Sequence, residues 1–153
     1  MITGVGTAVV RREPAAIVAF VTDLEQYKRA DHKIGRVLVN ERRGDRFFLR
    51  HDGALRGIPG PPVSLELRVT ETTATQIRVV YQAVPTFPSR FVVDFFGGFD
   101  LDVVEGGTRV VHTENFRFYL PFSVVAEPLL RDWLQRDIEA EMVRMKQILE
   151  DEG

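Results

Sequence analysis

The 153-residue chain contains no cysteine. That absence excludes disulfides, thiolate metal sites, iron–sulfur clusters and cysteine nucleophiles. A basic excess is missing as well: 20 Lys and Arg stand against 22 Asp and Glu, for a formal net charge of −2, and neither sign gathers into a block. Proteins that displace counterions from phosphate need such an excess, so no nucleic-acid partner is expected. No apolar run reaches the length of a bilayer, and no basic stretch followed by an apolar one opens the chain. Neither an integral membrane segment nor a signal peptide is expected, and the expected location is the cytoplasm. There is no internal repeat and no dividing linker, so the length predicts one domain over residues 1–153. GxSxG, P-loop, dinucleotide and HExxH motifs are all missing. Tyrosine and tryptophan are scarce, 3 and 1 beside 11 phenylalanines. Aromatic surface with so few polar handles suits the lining of something greasy.

What remains is a 44% hydrophobic, 27% charged sequence with strong periodicity, the composition of a globular fold. Val5–Glu13 predicts a strand, and Pro14 opens a short helix over Ala15–Val21. Thr22 and Asp23, followed by Glu25 and Gln26, cap a second helix through Tyr27 to about Ala30. From Ile34 to Tyr119 the period becomes two. Leu49 and His51, Leu67, Val79 and Tyr81, Phe91, Val93 and Phe95, then His112, Glu114 and Phe116 fall on the apolar side of their strands. Parity survives across Gly97-Gly98, so these glycines either relieve a bend or make no bulge. Tight polar turns at Arg43–Asp45, Glu71–Ala74 and Glu105–Gly107 alternate with longer proline-bearing loops at Gly57–Pro62 and Val84–Ser89. In an antiparallel meander this predicts one closed end and one open mouth. After Pro121 the pattern is helical to about Glu150, with Leu130, Leu134, Ile138, Met142, Met145 and Leu149 on one stripe. Pro128 either kinks this helix or starts it.

This order of elements resembles the helix-grip fold of the START-related superfamily, which includes lipid-transfer domains, polyketide cyclases and plant ligand-binding allergens. The stretch EPAAIVAFVTDLEQY, with Asp23 and Tyr27, looks like the superfamily's opening. Ala30 stands near where a tryptophan is often found, and EGGTRVVHT (Glu105–Thr113) looks like the glycine turn of cyclase-like members. The resemblance implies an α+β fold: a seven-stranded antiparallel curved sheet, two short helices after the first strand, and a long C-terminal helix over an apolar cavity. It also implies a hydrophobic small-molecule ligand (a lipid, polyketide or isoprenoid).

The candidate ligand-binding residues are Leu49, Leu67, Val79, Phe91, Val93, Phe95, Phe116, Leu130 and Trp133. Trp133 reads as a core filler or a ligand contact, and Asp137 as a solvated flank. The candidate acid–base residues are His51, His112, Glu114 and Tyr81, because ionisable groups on an apolar face ask for a reason. They form either a polar cluster at the cavity wall or a self-satisfied His–Glu pair, with a register that turns Glu114 outward as the further alternative. His51, His112 and Glu114 have the composition of a facial metal triad. Their strands lie far apart in such a sheet, so no metal and no cofactor are expected. Ile58, Phe87 and Phe122 sit in connections at the mouth and read as a gate or as a plug. Three functions follow: a carrier or sensor of an apolar ligand, a cyclase or dehydratase, or a protein-interaction module whose groove is filled by side chains.

Overall fold

The computed structural model describes residues 1–153. The chain runs through β1 (Ile2–Val10), α1 (Pro14–Val21), α2 (Leu24–Tyr27), β2 (Ile34–Arg43), β3 (Arg46–Leu55), β4 (Ile58–Pro59) and β5 (Val63–Thr73). It continues through β6 (Gln76–Val84), β7 (Val93–Val104), β8 (Gly107–Phe118) and α3 (Phe122–Asp151). Seven strands form one antiparallel sheet in the order β1-β8-β7-β6-β5-β3-β2, and β4 pairs only with β3. The eighth strand is an addition to the expected seven. Arg56 and Gly57, at φ 53° and 75°, turn the chain back sharply so that Ile58 and Pro59 pair with Leu55 and Ala54.

The short helices form where capping chemistry places them. Pro14 occupies the first turn of α1, and the Asp23 carboxylate accepts a hydrogen bond from the Glu25 N–H at the start of α2. α3 runs unbroken for 30 residues with Pro128 inside it, about 45 Å at 1.5 Å per residue. It lies mainly along β1, where two glycines let it approach. A Cβ on Gly6 would come within 2.7 Å of Met142 Cγ and 2.9 Å of the Ile138 carbonyl oxygen.

The register through Gly97 and Gly98 is continuous, so no bulge forms. The pair is instead required by close approach. A side chain on Gly97 would run into the Thr113 carbonyl and the Tyr81 hydroxyl, and one on Gly98 into the Val79 carbonyl. The β2–β3, β5–β6 and β7–β8 turns lie at one end of the meander. The β3–β5 and β6–β7 connections and the start of α3 lie at the other, as the alternation of short and long loops predicts.

Candidate functional site

Between the concave sheet face and the first half of α3 lies a cavity of about 710 Å³, with 23 hydrophobic residues among its 33 lining residues. Its walls include Leu49, Leu65 and Leu67 from β3 and β5, Val93, Phe95 and Phe99 from β7, and Phe116 and Phe118 from β8. Leu130, Ala126, Val125 and Phe122 of α3 close it from above, with Ile58–Pro61 at the mouth. Phe95, Phe116 and Phe118 form a run of stacked rings at 5.6 and 6.3 Å between centroids. Inward apolar residues of β3, β5, β7 and β8 supply most of this wall, and no side chain from the core fills the space.

The inner end of the cavity is polar. His112 and Glu114, successive inward residues of β8, face it with Tyr81 from β6 and Tyr27 from α2. Glu114 pairs across the sheet with Gly4 on one side and Gly97 on the other, so its immediate neighbours carry no side chains and it has room to turn inward. Lys33 lies among carboxylates. Its Nζ is 2.8 Å from Asp31 Oδ1, Asp137 Oδ2 and Glu141 Oε2, and 3.4 Å from Glu114 Oε2. His112 bridges the two halves: Nδ1 is 3.0 Å from Glu141 Oε1, and Nε2 is 3.3 Å from the Tyr81 hydroxyl. The Tyr27 hydroxyl donates to Glu141 Oε1, and Phe99 stacks on the His112 ring at 4.0 Å. Glu114 is the loosest member. Its Oε2 is buried without a hydrogen bond, and its Oε1 is 3.8 Å from His112 Nε2, beyond hydrogen-bond reach.

Burial sets the protonation of this group. It pushes Glu141 up to about 8 and Glu114 up to about 7, the latter against the opposing charge of Lys33. It drives His112 down to about 3, helped by Lys33, so the imidazole is neutral. Tyr81 is raised well above the ordinary tyrosine value. Burial alone would lower Lys33 and raise Asp31. Their mutual attraction reverses both, holding Lys33 above its ordinary value and Asp31 below.

Several residues singled out from sequence sit elsewhere. Phe91 lies in the single 3-10 turn Ser89–Phe91, is 54% exposed, and packs edge-on against Phe87 outside the cavity. The strand expected to include it starts only at Val93. Phe87, expected at the mouth, is 75% exposed and is absent from the cavity wall. Val79 is fully buried in the core and absent from the cavity lining, although Phe99, its partner across the sheet on β7, is part of that lining. Trp133 is half-buried against that core and off the cavity lining. Asp137, read as a solvated flank, is bound to Lys33. His51 lines the cavity on β3, four strands from β8 in the sheet, and its Nδ1 engages the Asp52 carbonyl. Burial lowers its pKa. Ile58 and Phe122 do line the mouth.

Asp31, Lys33 and Glu141 escape the sequence reading. Asp31 and Lys33 occupy an aperiodic turn between α2 and β2, which α3 anchors through a hydrogen bond from Arg144 Nε to the Ala30 carbonyl. Glu141 carried a signal: Leu134, Ile138, Glu141 and Met145 follow helical spacing, which puts an acid on the buried stripe. His112, Glu114 and Glu141 also bring ligand atoms close enough for a metal ion, as do Asp31, Asp137 and Glu141. The Lys33 ammonium already stands among these carboxylates as a built-in cation.

A long helix gripping a curved sheet over such a cavity defines the helix-grip class, and comparison with known proteins agrees. The family model described as polyketide cyclase/dehydrase and lipid transport matches residues 1–150. The chain belongs to that family. No curated protein matches it in sequence. Among solved structures, a protein of Thermus thermophilus superposes with TM-score 0.75 at 17% identity, covering 99% of both chains. The ZhuI aromatase/cyclase of Streptomyces sp. R1128 gives 0.73 at 14% identity, covering 97% of this chain and 93% of that one. A STAR-related lipid transfer protein fragment from Xanthomonas axonopodis gives 0.63 at 11%, covering 94% and 82%. At these identities the likeness concerns the fold. No helix is long and apolar enough to cross a membrane.

Proposed function

We propose that this protein binds an apolar small molecule in the cavity beneath α3, as a carrier or sensor. The observation that carries this reading is an unfilled, largely hydrophobic volume of about 710 Å³, which falls in the range of small-molecule sites. Each Å² of apolar ligand surface taken from water contributes about 25 cal/mol before ordering costs. The same volume argues against an interaction module built on a filled scaffold.

The convergence of His112, Tyr81 and Glu114 beside open volume favours a second reading, cyclase or dehydratase chemistry. A neutral imidazole and a carboxyl group raised to about 7 are suited to passing a proton to or from a bound hydroxyl or carbonyl group. Titration with Nile red tests the first reading, with saturable one-to-one binding expected. No saturable binding would return the interaction module. Native mass spectrometry of protein purified from its own host names the ligand. Incubation with that ligand separates the readings, since a carrier returns it unchanged.

A further inference from the structure

The inner end of the cavity has an unequal charge inventory. Four carboxyl groups, from Asp31, Glu114, Asp137 and Glu141, surround the single ammonium of Lys33, while the one imidazole there is kept neutral by burial. Three of the four lie 2.8 Å from Lys33 Nζ. Glu114, at 3.4 Å, makes no hydrogen bond through Oε2 and faces His112 only at 3.8 Å. A residue only 5% exposed, whose Oε2 has a long ion-pair contact with Lys33 and no hydrogen bond, is an acceptor short of a donor. Elsewhere the cavity wall is almost entirely hydrocarbon and aromatic ring, His51 on β3 excepted, so a polar group on a ligand finds most of its partners here.

Position adds a length. On β8 the inward residues run His112, Glu114, Phe116, Phe118 from the closed end toward the mouth. Glu114 is four residues from Phe118, about 13 Å at 3.3 Å per residue. A ligand reaching it threads an apolar body past the stacked phenylalanines and arrives with one end first.

We propose that this inner end is a subsite for a single hydrogen-bond donor, a hydroxyl or an amine, on the leading end of an apolar ligand, with Glu114 as the acceptor and anionic head groups rejected. The inference rests on the ligand-binding reading above and narrows its chemistry. A hydroxyl supplies the donor that Glu114 lacks. An ammonium does so and also offsets the excess of carboxylates. A carboxylate or phosphate brings acceptors to an end already crowded with them and adds like charge in a low-dielectric enclosure, where repulsion is strong.

The test is displacement of Nile red at pH 8 by four probes with the same ten-carbon chain: decan-1-ol, decylamine, 1-methoxydecane and decanoate. The alcohol and amine are expected to bind about tenfold or more tightly than the ether, which accepts but does not donate, and decanoate to bind weakest. Replacing Glu114 by Gln keeps the shape and removes the charge. It should erase any preference for amine over alcohol and improve decanoate several-fold. Alcohol alone above ether identifies a hydroxyl site, and amine alone an ammonium site. Decanoate binding as tightly as the alcohol in the wild type would overturn the proposal, as would an ether equal to both donors. In either case saturable Nile red binding would leave the ligand-binding reading standing. If Nile red itself fails to bind, both fall together. The wild-type comparison decides the matter even should the variant not fold.

Discussion

At the scale of single residues, burial and charge fix how stability responds to pH. Glu114 and Glu141 hold protons in the fold up to about 7 and about 8, whereas an unfolded glutamate releases its proton near 4.5. The folded state therefore binds more protons across that window, and stability falls as pH rises through it. His112 works in the opposite sense, since the unfolded chain protonates it below 6.5 and the fold only near 3. Its contribution grows as pH rises from about 3 and is complete by about 6.5. Asp31 has finished titrating by then, and Lys33 keeps its contribution up to the unfolded value of 10.5. Urea unfolding should show stability falling from about pH 4.5 to about pH 8, most steeply above about 6.5 where His112 no longer opposes it, and Glu141→Gln, which cannot release a proton, should flatten that fall. An unchanged slope in the variant would mean that Glu141 is ionised throughout.

At the scale of elements, the contact between β1 and α3 depends on having no side chain at two inward positions. Gly6→Ala would press a methyl group against both Met142 and the backbone of α3. It is expected to cost about 1–3 kcal/mol, read as a lowered urea midpoint. Gly4→Ala should cost less, because its Cβ would meet Leu134 Cγ at 3.1 Å and the Leu134 carbonyl oxygen and Ile138 Cγ2 at 3.3 Å, contacts that need only a few tenths of an ångström of give. The strands and α3 were readable in the chain because alternation and helical spacing record which side of an element faces apolar surroundings. Sequence also set Glu114 and His112 on the inner face, while leaving an outward register open; pairing with Gly4 and Gly97 supplies the reason for the inward one. Phe91 continued an alternating pattern whose backbone had already left the sheet, and alternation cannot tell a 3-10 turn from a strand. Asp31 and Lys33 were hidden for a different reason. An aperiodic turn has no face, so only the tertiary position of α3 reveals that these charges are inside.

At the scale of the whole molecule, the tight turns close one end and leave a mouth at the other. Leu120 and Phe87 are 77% and 75% exposed there, outside the cavity, whereas Phe122 and Ile58 stand on its lining. The gate is accordingly proposed for Phe122 and Ile58. Phe122→Ala should speed Nile red release several-fold in stopped-flow measurements, with the melting temperature moved by no more than about 3 °C. Phe87→Ala should leave the release rate as it was. A large loss of stability in Phe122→Ala with unchanged release would show a plug.

Lys33 meets Asp137 and Glu141 across 104 and 108 residues of chain. No local segment can shelter that ammonium. Asp31 is at hand from the start, two residues away, but Asp137 and Glu141 reach the ammonium only when α3 comes down on β1. Stripping water from so many ionisable groups is tolerable only when they arrive together, so the cluster couples the two ends of the chain in time as well as in space. Until α3 docks, the cavity lacks the wall that Phe122, Val125, Ala126, Leu129 and Leu130 provide. The completed enclosure and the buried charge therefore appear in a single event.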